Sequence, residues 1–205
     1  MIRAIFLDVD GTLISFSTHE IPASARRALT QAHERGVRLF IATGRAANDL
    51  GPLEGIPYDG VVSLNGARCV ANDGRVVSLH PIPRADFERA LALSEEQDFA
   101  MGLELEEGVF VNRVTPDVKR VAHMVAHPVP EQTDLRELFG RVECCQLCFY
   151  FDAQTQRRVM AELPTLVASR WCPIFADVNV AGIDKATGME EFMRSYGFSA
   201  AEVAA

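Results

Sequence analysis

The chain has 205 residues, of which 48% are hydrophobic, enough for one large domain or two small ones. Its formal net charge is −8 and it contains no basic block, so it lacks the electrostatic footprint of a nucleic-acid-binding protein. No apolar run reaches the roughly 18 residues that a membrane-spanning helix needs, and the apolar N-terminus is too short for a signal peptide. We therefore expect a cytoplasmic protein, and either a monomer or a weak homodimer. Its five cysteines, an odd number, indicate reduced thiols and not a disulfide framework.

The N-terminal part of the chain alternates between buried strands and helices. The hydrophobic pattern predicts, in chain order, a strand at 2–7, a helix at 22–35, a strand at 37–42, a short helix at about 46–53 and a strand at 60–64. This order is typical of a parallel sheet with crossover helices. Open sheets of this kind bind ligands at the carboxyl ends of their strands, so we expect functional residues there.

The central part of the chain has a different order of predicted elements. Two strands at 68–70 and 76–79 flank Asn72-Asp73-Gly74, which is typical of a hairpin turn. The elements predicted after it are a helix at 85–97, strands at 100–105 and 109–112, a helix at 116–126, a strand at 143–151, a helix at 155–163 and a strand at 166–172. We expect these elements to form a small α+β domain at residues 82–172. It would be inserted into a first domain made of residues 1–81 and 173–205.

The C-terminal part returns to a core-like pattern at residues 177–185. We expect Lys185 to lie in a loop before a helix at 189–196, which Gly197 would end. Residues 199–205 are predicted to be a loop that leads toward a further strand not contained in the chain.

The first predicted strand ends in Asp8-Val9-Asp10-Gly11-Thr12, a pattern suited to phosphoryl transfer. A carboxylate at Asp8 can attack phosphorus and form an aspartyl-phosphate. Asp10 can donate a proton to the departing alkoxide and later accept one from the attacking water. A carboxylate is repelled by a phosphate dianion unless a metal or cations screen the charge, so this chemistry requires further positive groups.

Polar residues also follow the next two predicted strands. Thr43 supplies a hydroxyl after the second strand and Arg45 lies close behind it, while Asn65 follows the third strand and can bind phosphate or substrate oxygens. Lys185 supplies a positive charge late in the chain. Taken singly, these residues are typical of ordinary turns and of a solvated lysine. It is their order along the chain and their occurrence together that indicate a phosphate site.

Together these motifs resemble those of the haloacid dehalogenase (HAD) superfamily of phosphatases, and most closely its Cof-type branch. The resemblance is carried by four segments in order: Asp8-Val9-Asp10-Gly11-Thr12, Thr43-Gly44-Arg45, Asn65-Gly66-Ala67 and Lys185. It implies an α/β fold with a Rossmann-like parallel-sheet core and an inserted α+β cap domain that closes over the substrate. The expected reaction is Mg²⁺-dependent hydrolysis of a small phosphate ester, a sugar phosphate or a phosphorylated cofactor.

The same resemblance implies a role for each motif residue. Asp8 would be the phosphorylated nucleophile and Asp10 the general acid and base, with Mg²⁺ bound by Asp8 and by the backbone carbonyl of Asp10. The phosphate-binding residues would be Thr43, Gly44, Asn65 and Lys185. Arg45 would contact the substrate, and Asn112 and Arg113 are further candidates from the cap.

One family feature is not found. The family's fourth motif, Gly-Asp-x-x-Asn-Asp or similar, adds acidic metal ligands, and no such stretch follows Lys185. We therefore expect the chain to be a shortened form of a longer enzyme with weak metal binding. Two alternatives stay open: a phosphomutase, which passes the phosphoryl group to a second hydroxyl, or a non-catalytic module that binds phosphometabolites.

Two other clusters invite a metal-site interpretation, and the sequence favours neither. Cys145 and Cys148 are three residues apart on a predicted strand, so they point to opposite faces and would not chelate one zinc ion together. His123 and His127 have helical metal-binding spacing, but no glutamate completes a hydrolytic motif and Pro128 follows at once. We expect buried cysteines and solvent-facing or capping histidines.

Overall fold

The computed structural model of the protein describes residues 1–15, 18 and 20–205. Its helices are α1 (Ala23–Glu34), α2 (Arg84–Glu96), α3 (Pro116–Met124), α4 (Leu135–Phe139), α5 (Ala153–Met160) and α6 (Lys185–Tyr196). Its strands are β1 (Ala4–Leu7), β2 (Arg38–Ala42), β3 (Gly60–Ser63), β4 (Arg68–Ala71), β5 (Val76–Leu79), β6 (Ala100–Leu105), β7 (Gly108–Val111), β8 (Glu131–Gln132), β9 (Gln146–Tyr150), β10 (Leu166–Cys172), β11 (Phe175–Val180) and β12 (Val203–Ala204).

The chain divides into two compact units. The first consists of Met1–Leu79 and Ile183–Ala205, and the second is the segment His80–Gly182 between them. The predicted fold class, an α/β protein with a parallel core sheet and an inserted α+β unit, is confirmed.

The first unit is built on a six-stranded sheet in the order β12-β1-β2-β3-β4-β5. The first four strands in this order run parallel, and β3, β4 and β5 are joined as antiparallel neighbours. Because the carboxyl ends of β1, β2 and β3 lie at the same edge of this sheet, the residues that follow them are brought close together.

Both faces of this sheet are buried at β2, which explains why residues 39–42 of this strand are all apolar. Leu39 and Ile41 point into one core with Leu29 of α1, whereas Phe40 points into the opposite core. There the ring of Phe40 packs against Phe192 of α6 with centroids 4.7 Å apart. The unit is therefore a helix–sheet–helix sandwich, in which the two faces of each strand alternate between two cores.

The second unit contains the other six-stranded sheet, in the order β10-β11-β9-β6-β7-β8. All neighbouring pairs are antiparallel except β7 and β8. One face packs in a large core that includes Phe87 and Leu93 of α2 and Val159 of α5. On the other face, Val118 and Val121 of α3 form a smaller core with residues such as Val111 and Tyr150.

Several details differ from the sequence-based expectations, and four of them concern the boundaries of the core or the site. Residues 173–182 lie in the second unit instead of the first, because β11 pairs with both β10 and β9. The short helix at 46–53 is two 3₁₀ turns, Ala47–Asp49 and Gly51–Leu53, since the Gly51-Pro52 pair disfavours a continuous helix. The last two differences concern the C-terminal part. The expected loop at 199–205 contains β12, which pairs with β1, and Lys185 is the first residue of α6.

Among the helices of the described residues, none combines the length and the apolar character required to span a membrane.

Candidate active site

Asp8 and Asp10 lie in the turn that follows β1. The backbone holds this turn in place, since the amide of Leu13 donates to the carbonyl of Asp8 at 3.3 Å and that of Ile14 donates to Val9 at 2.8 Å. Gly11 has a φ of 81°, a left-handed conformation that glycine adopts without strain. The side chains of both aspartates remain about 40% exposed, so the turn presents two carboxylates to solvent.

Thr43 and Asn65 connect the ends of β2 and β3. Thr43 is almost completely buried; its amide donates to Val62 at 2.8 Å and its carbonyl accepts from the amide of Asn65 at 3.1 Å. Its hydroxyl oxygen accepts from the amide of Arg45 at 3.1 Å. A methyl group added to Gly44 would lie 3.0 Å from the side-chain oxygen of Asn65, so the two motifs are in close contact.

Lys185 is brought to the same edge of the sheet by α6. Its ammonium nitrogen lies 2.6 Å from Oδ1 of Asp8, although 177 residues separate the two in sequence. Asp184 caps the helix, because its carboxylate accepts from the amide of Thr187 at 2.8 Å, and this bond lowers the pKa of Asp184. This cap fixes the first turn of α6 and therefore the position of Lys185.

Gly66 allows α6 to approach this closely. Its φ is 98°, and a Cβ atom built at this position would lie 1.9 Å from the carbonyl oxygen of Asp184. No side chain fits in that space, so the turn after β3 can lie directly against the N-terminus of α6 only if the residue is glycine. The role of Gly66 is therefore steric, and it positions Asp184 and Lys185.

Arg45 forms a two-pronged ion pair with Asp10. Its Nε donates to Oδ2 at 2.9 Å and its Nη2 to Oδ1 at 2.8 Å, while its Nη1 donates to Asp49 at 3.0 Å. The hydrogen bonds from Arg45 and its positive charge hold the pKa of Asp10 below its usual value. In turn, the hydrogen bonds to Asp10 and Asp49 and the negative charges of these two residues raise the pKa of Arg45. Asp10 is thus kept ionised in this state.

The arrangement joins two carboxylates and two cations at one edge of the sheet. Asp8 has a lysine beside it that can neutralise an incoming phosphoryl group. Thr43, at the end of the adjacent strand β2, adds a buried hydroxyl. Asp8 and the backbone carbonyl of Asp10 also supply oxygen donors, which suit a hard divalent cation. This donor set fits Mg²⁺ chemically.

The two candidates from the second unit are engaged within that unit. Asn112 accepts from the amide of Met101 at 3.0 Å and donates to the hydroxyl of Ser94 at 3.1 Å. Arg113 donates to Asp98 at 2.8 Å and to the carbonyl of Ser94 at 3.3 Å. These contacts give both side chains a role in holding the end of β7 against α2.

Sequence reasoning missed two residues that order this site. Asp49 fixes Arg45, and its signal is only a separation of four residues within an irregular segment. Asp184 caps α6, and a signal was present, since an aspartate that precedes a helix is a typical N-cap. All five cysteines are free and buried, as the sequence indicated.

Comparison with known proteins adds independent information. A family model of haloacid dehalogenase-like hydrolases matches residues 5–205. Among solved structures, BT1666 from Bacteroides thetaiotaomicron, a phosphatase of the haloalkanoate (HAD) enzyme superfamily, is 52% identical with a TM-score of 0.94; the match covers 100% of this chain and 76% of that one. BT4131, a HAD subclass IIB sugar phosphatase, is 30% identical with a TM-score of 0.87, covering 98% and 79%.

A curated relative has a related assignment. YkrA from Bacillus subtilis (strain 168), provisionally assigned as a phosphatase, is 25% identical over 202 residues, which is 96% of this chain and 75% of the relative.

Proposed function

Because this chain belongs to the haloacid dehalogenase-like hydrolase family and is a phosphoric monoester hydrolase, we propose that it hydrolyses a small phosphorylated metabolite through an aspartyl-phosphate on Asp8, with Mg²⁺ as cofactor. The observation that carries the proposal is the pairing of Asp8 with Lys185 at 2.6 Å at the carboxyl end of β1. A nucleophile and a phosphate-neutralising cation are then next to each other.

In the first step, a carboxylate oxygen of Asp8 attacks phosphorus and the bond from phosphorus to the leaving oxygen breaks. Lys185 stabilises the negative charge on the transferring group, with Thr43, Gly44 and Asn65 as further phosphate contacts. Asp10 donates a proton to the leaving oxygen, so the alcohol departs neutral.

In the second step, water attacks the phosphorus of the aspartyl-phosphate. Asp10 accepts the proton from this water, the bond from phosphorus to Asp8 breaks, and inorganic phosphate leaves. Asp8 is then a free carboxylate again and Asp10 again carries a proton, so both are in the state in which the cycle began. One pair of aspartates thus supplies both the nucleophile and the proton transfers.

Phosphatases of this family generally use a divalent metal ion. We assign Mg²⁺ to the carboxylate of Asp8 and the backbone carbonyl of Asp10. When bound, it would screen the repulsion between the nucleophile and the phosphate dianion.

Among phosphate esters, we favour a sugar phosphate over a phosphorylated cofactor. BT4131, which is 30% identical to this chain, is a sugar phosphatase. Arg45 lies beside Asp10, and we assign it to the contact with the substrate that Asp10 protonates.

The test is phosphate release from a panel of sugar phosphates and phosphorylated cofactors, with and without Mg²⁺. We expect Mg²⁺-dependent turnover that Asp8→Asn abolishes and that the matched variant Asp73→Asn, on the exposed β4–β5 turn, retains. Acid quenching should trap one phosphoryl group on the peptide that contains Asp8. Turnover that survives Asp8→Asn would refute the nucleophile assignment.

A further inference from the structure

The guanidinium group of Arg45 is held on two sides by two different aspartates. Its Nε and Nη2 atoms donate to the carboxylate of Asp10 at 2.9 and 2.8 Å. Its Nη1 atom donates to Oδ2 of Asp49 at 3.0 Å and to the backbone carbonyl of Asp49 at 3.3 Å. The function proposed above assigns roles to Asp10 and Arg45 but none to Asp49.

Asp49 is the more firmly fixed of these two partners, because its backbone takes part in the contact. It ends a 3₁₀ turn, in which its amide donates to the carbonyl of Ala46 at 3.0 Å. A backbone carbonyl cannot turn away by a change of rotamer, whereas Asp10 is bound to Arg45 through its side chain alone. The Asp10 side chain is also more exposed, 44% against 30% for Asp49. We therefore expect a ligand to displace Asp10 from Arg45 more readily than Asp49.

The two contacts use different parts of the guanidinium group. Nε and Nη2 form one edge, and such a pair of parallel donors is the fork that binds a carboxylate or a phosphate group bidentately. Nη1 has a second N–H that lies outside this edge, on the side of Asp49. A phosphate group can therefore replace Asp10 at Nε and Nη2 while the bonds from Nη1 to Asp49 stay as they are.

Holding the guanidinium in place favours phosphate binding, because an arginine side chain is long and flexible. It loses rotamer freedom when it binds a ligand, and this loss opposes binding. With Nη1 attached to Asp49, much of that freedom is lost before the substrate arrives. The carboxylate of Asp49 also gives Arg45, which is 27% exposed, a partner of opposite charge once Asp10 has been displaced.

We propose that Asp49 is a positioning residue for phosphate esters. It keeps the guanidinium of Arg45 in the site through Nη1, while Nε and Nη2 pass from the carboxylate of Asp10 to the phosphoryl group of the substrate. The inference rests on the proposed function, in which Asp10 protonates the leaving oxygen and Arg45 contacts the substrate. In this role Asp49 touches neither the substrate nor the reacting atoms and acts only through Arg45.

The test compares Asp49→Ala, which removes the carboxylate, with Asp49→Asn, which keeps an uncharged oxygen that can accept from Nη1. Binding of inorganic phosphate is measured by calorimetry at one fixed Mg²⁺ concentration, and kcat and KM are measured with para-nitrophenyl phosphate. The matched control is Asp117→Ala, which removes an exposed pair with Arg120 on α3. Urea unfolding shows whether each variant is folded.

We expect Asp49→Ala to weaken the binding of inorganic phosphate about tenfold and to raise KM about tenfold, as for loss of a hydrogen bond between charged groups. The value of kcat should change less than about threefold, because Arg45 binds the phosphoryl group before the chemical step and keeps it through the transition state. Asp49→Asn should have an affinity between those of Asp49→Ala and the unmodified chain. Asp117→Ala should change neither the affinity nor KM.

A second comparison separates positioning from a general effect on the fold. Added to Arg45→Met, Asp49→Ala should cause no further loss of phosphate affinity, because no guanidinium is left for Asp49 to hold. A purely structural effect, for example on the 3₁₀ turn, would lower the affinity by the same factor with and without Arg45→Met. If Asp49→Ala does not fold, Asp49→Asn, which preserves the size of the side chain, takes its place in this comparison.

Four results would overturn the inference. The first is a phosphate affinity of both Asp49 variants equal to that of the unmodified chain, and the second is an equal loss of affinity with and without Arg45→Met. The third is a fall in kcat with KM unchanged, and the fourth is no binding of phosphate by the unmodified chain. The proposed function fails separately, if the unmodified chain binds inorganic phosphate but hydrolyses no phosphate ester.

Discussion

Arg45 occupies both carboxylate oxygens of Asp10, at 2.9 and 2.8 Å, and is itself held by Asp49. The pair keeps Asp10 ionised, whereas the proposed first step needs a proton on Asp10. Substrate must therefore loosen the pair before the leaving group departs. A phosphate dianion can do this, because it offers the guanidinium a competing bidentate partner.

Replacing Arg45 with Met should raise the pKa of Asp10, as followed by NMR titration of its carboxyl carbon. The folded-state pKa of Asp10 lies below its ordinary value of 3.8, so the pair stabilises the fold above that value and loses its effect as pH falls through the lower folded-state value. The expected contribution near pH 7 is less than about 1 kcal/mol, because the pair is partly exposed.

The measurement is urea unfolding of the unmodified chain and of Arg45→Met near pH 7 and near pH 3. The stability gap should shrink at the lower pH. Arg194→Met, which removes an exposed pair with Glu191 on α6, is the matched control and should leave the titration of Asp10 unchanged. A gap that grows toward acid pH would contradict the assigned sign.

Three of the four candidate motifs could be expected to lie together, because each follows a strand with a strong apolar pattern. Buried apolar strands end at Asp8 and Thr43, and a sheet of parallel strands places such ends at one edge. The pairing of Arg45 with Asp10 could not be predicted, since it spans 35 residues and depends on rotamers. Asp8 and Lys185 were expected to share one phosphate site, but their direct contact depends on how α6 packs.

The boundary near residue 173 could not be predicted for a different reason. The pattern of Phe175–Val180 is that of a half-buried strand, and it fits an edge of either sheet. The tight turn after β10 determines the sheet to which this strand belongs, because it makes β11 the antiparallel neighbour of β10. Likewise, β12 has only two residues, too few for a periodicity to reveal it.

Glu202 provides a second pH prediction. Hydrogen bonds from Ser199 and the guanidinium of Arg3 lower its pKa from 4.5 to about 2. The stabilisation is therefore present above the ordinary value and is lost as pH falls toward about 2. Glu202→Gln should unfold at lower urea concentration than the unmodified chain near pH 7, and the two should converge near pH 2. A difference independent of pH would show that the carboxylate charge is not responsible.

Lys185 can be tested against a convenient internal control, because the chain has only one other lysine, the exposed Lys119. Lys185→Met should lower kcat/KM for phosphate esters by about 10²- to 10³-fold, as for loss of a group that stabilises charge in the transition state. Lys119→Met should retain the full rate. Phosphate should also protect Lys185 from acetylation, as read by mass spectrometry, and leave Lys119 reactive. Equal rates for both variants would show that Lys185 has no role in the hydrolysis of phosphate esters.

Gly66→Ala tests the contact that positions α6. Its Cβ would lie 1.9 Å from the carbonyl oxygen of Asp184, and backbone cannot move aside as a flexible side chain can. We expect a loss of at least about 3 kcal/mol in the free energy of unfolding, together with reduced phosphatase activity, because Lys185 would be displaced from Asp8.

Gly74→Ala is the matched control, since Gly74 has a similar φ of 84° but no atom near the added Cβ. It should cost only about 1–2 kcal/mol, the strain of the left-handed conformation. Urea unfolding measures both variants, and equal losses would mean that the turn after β3 can yield to α6.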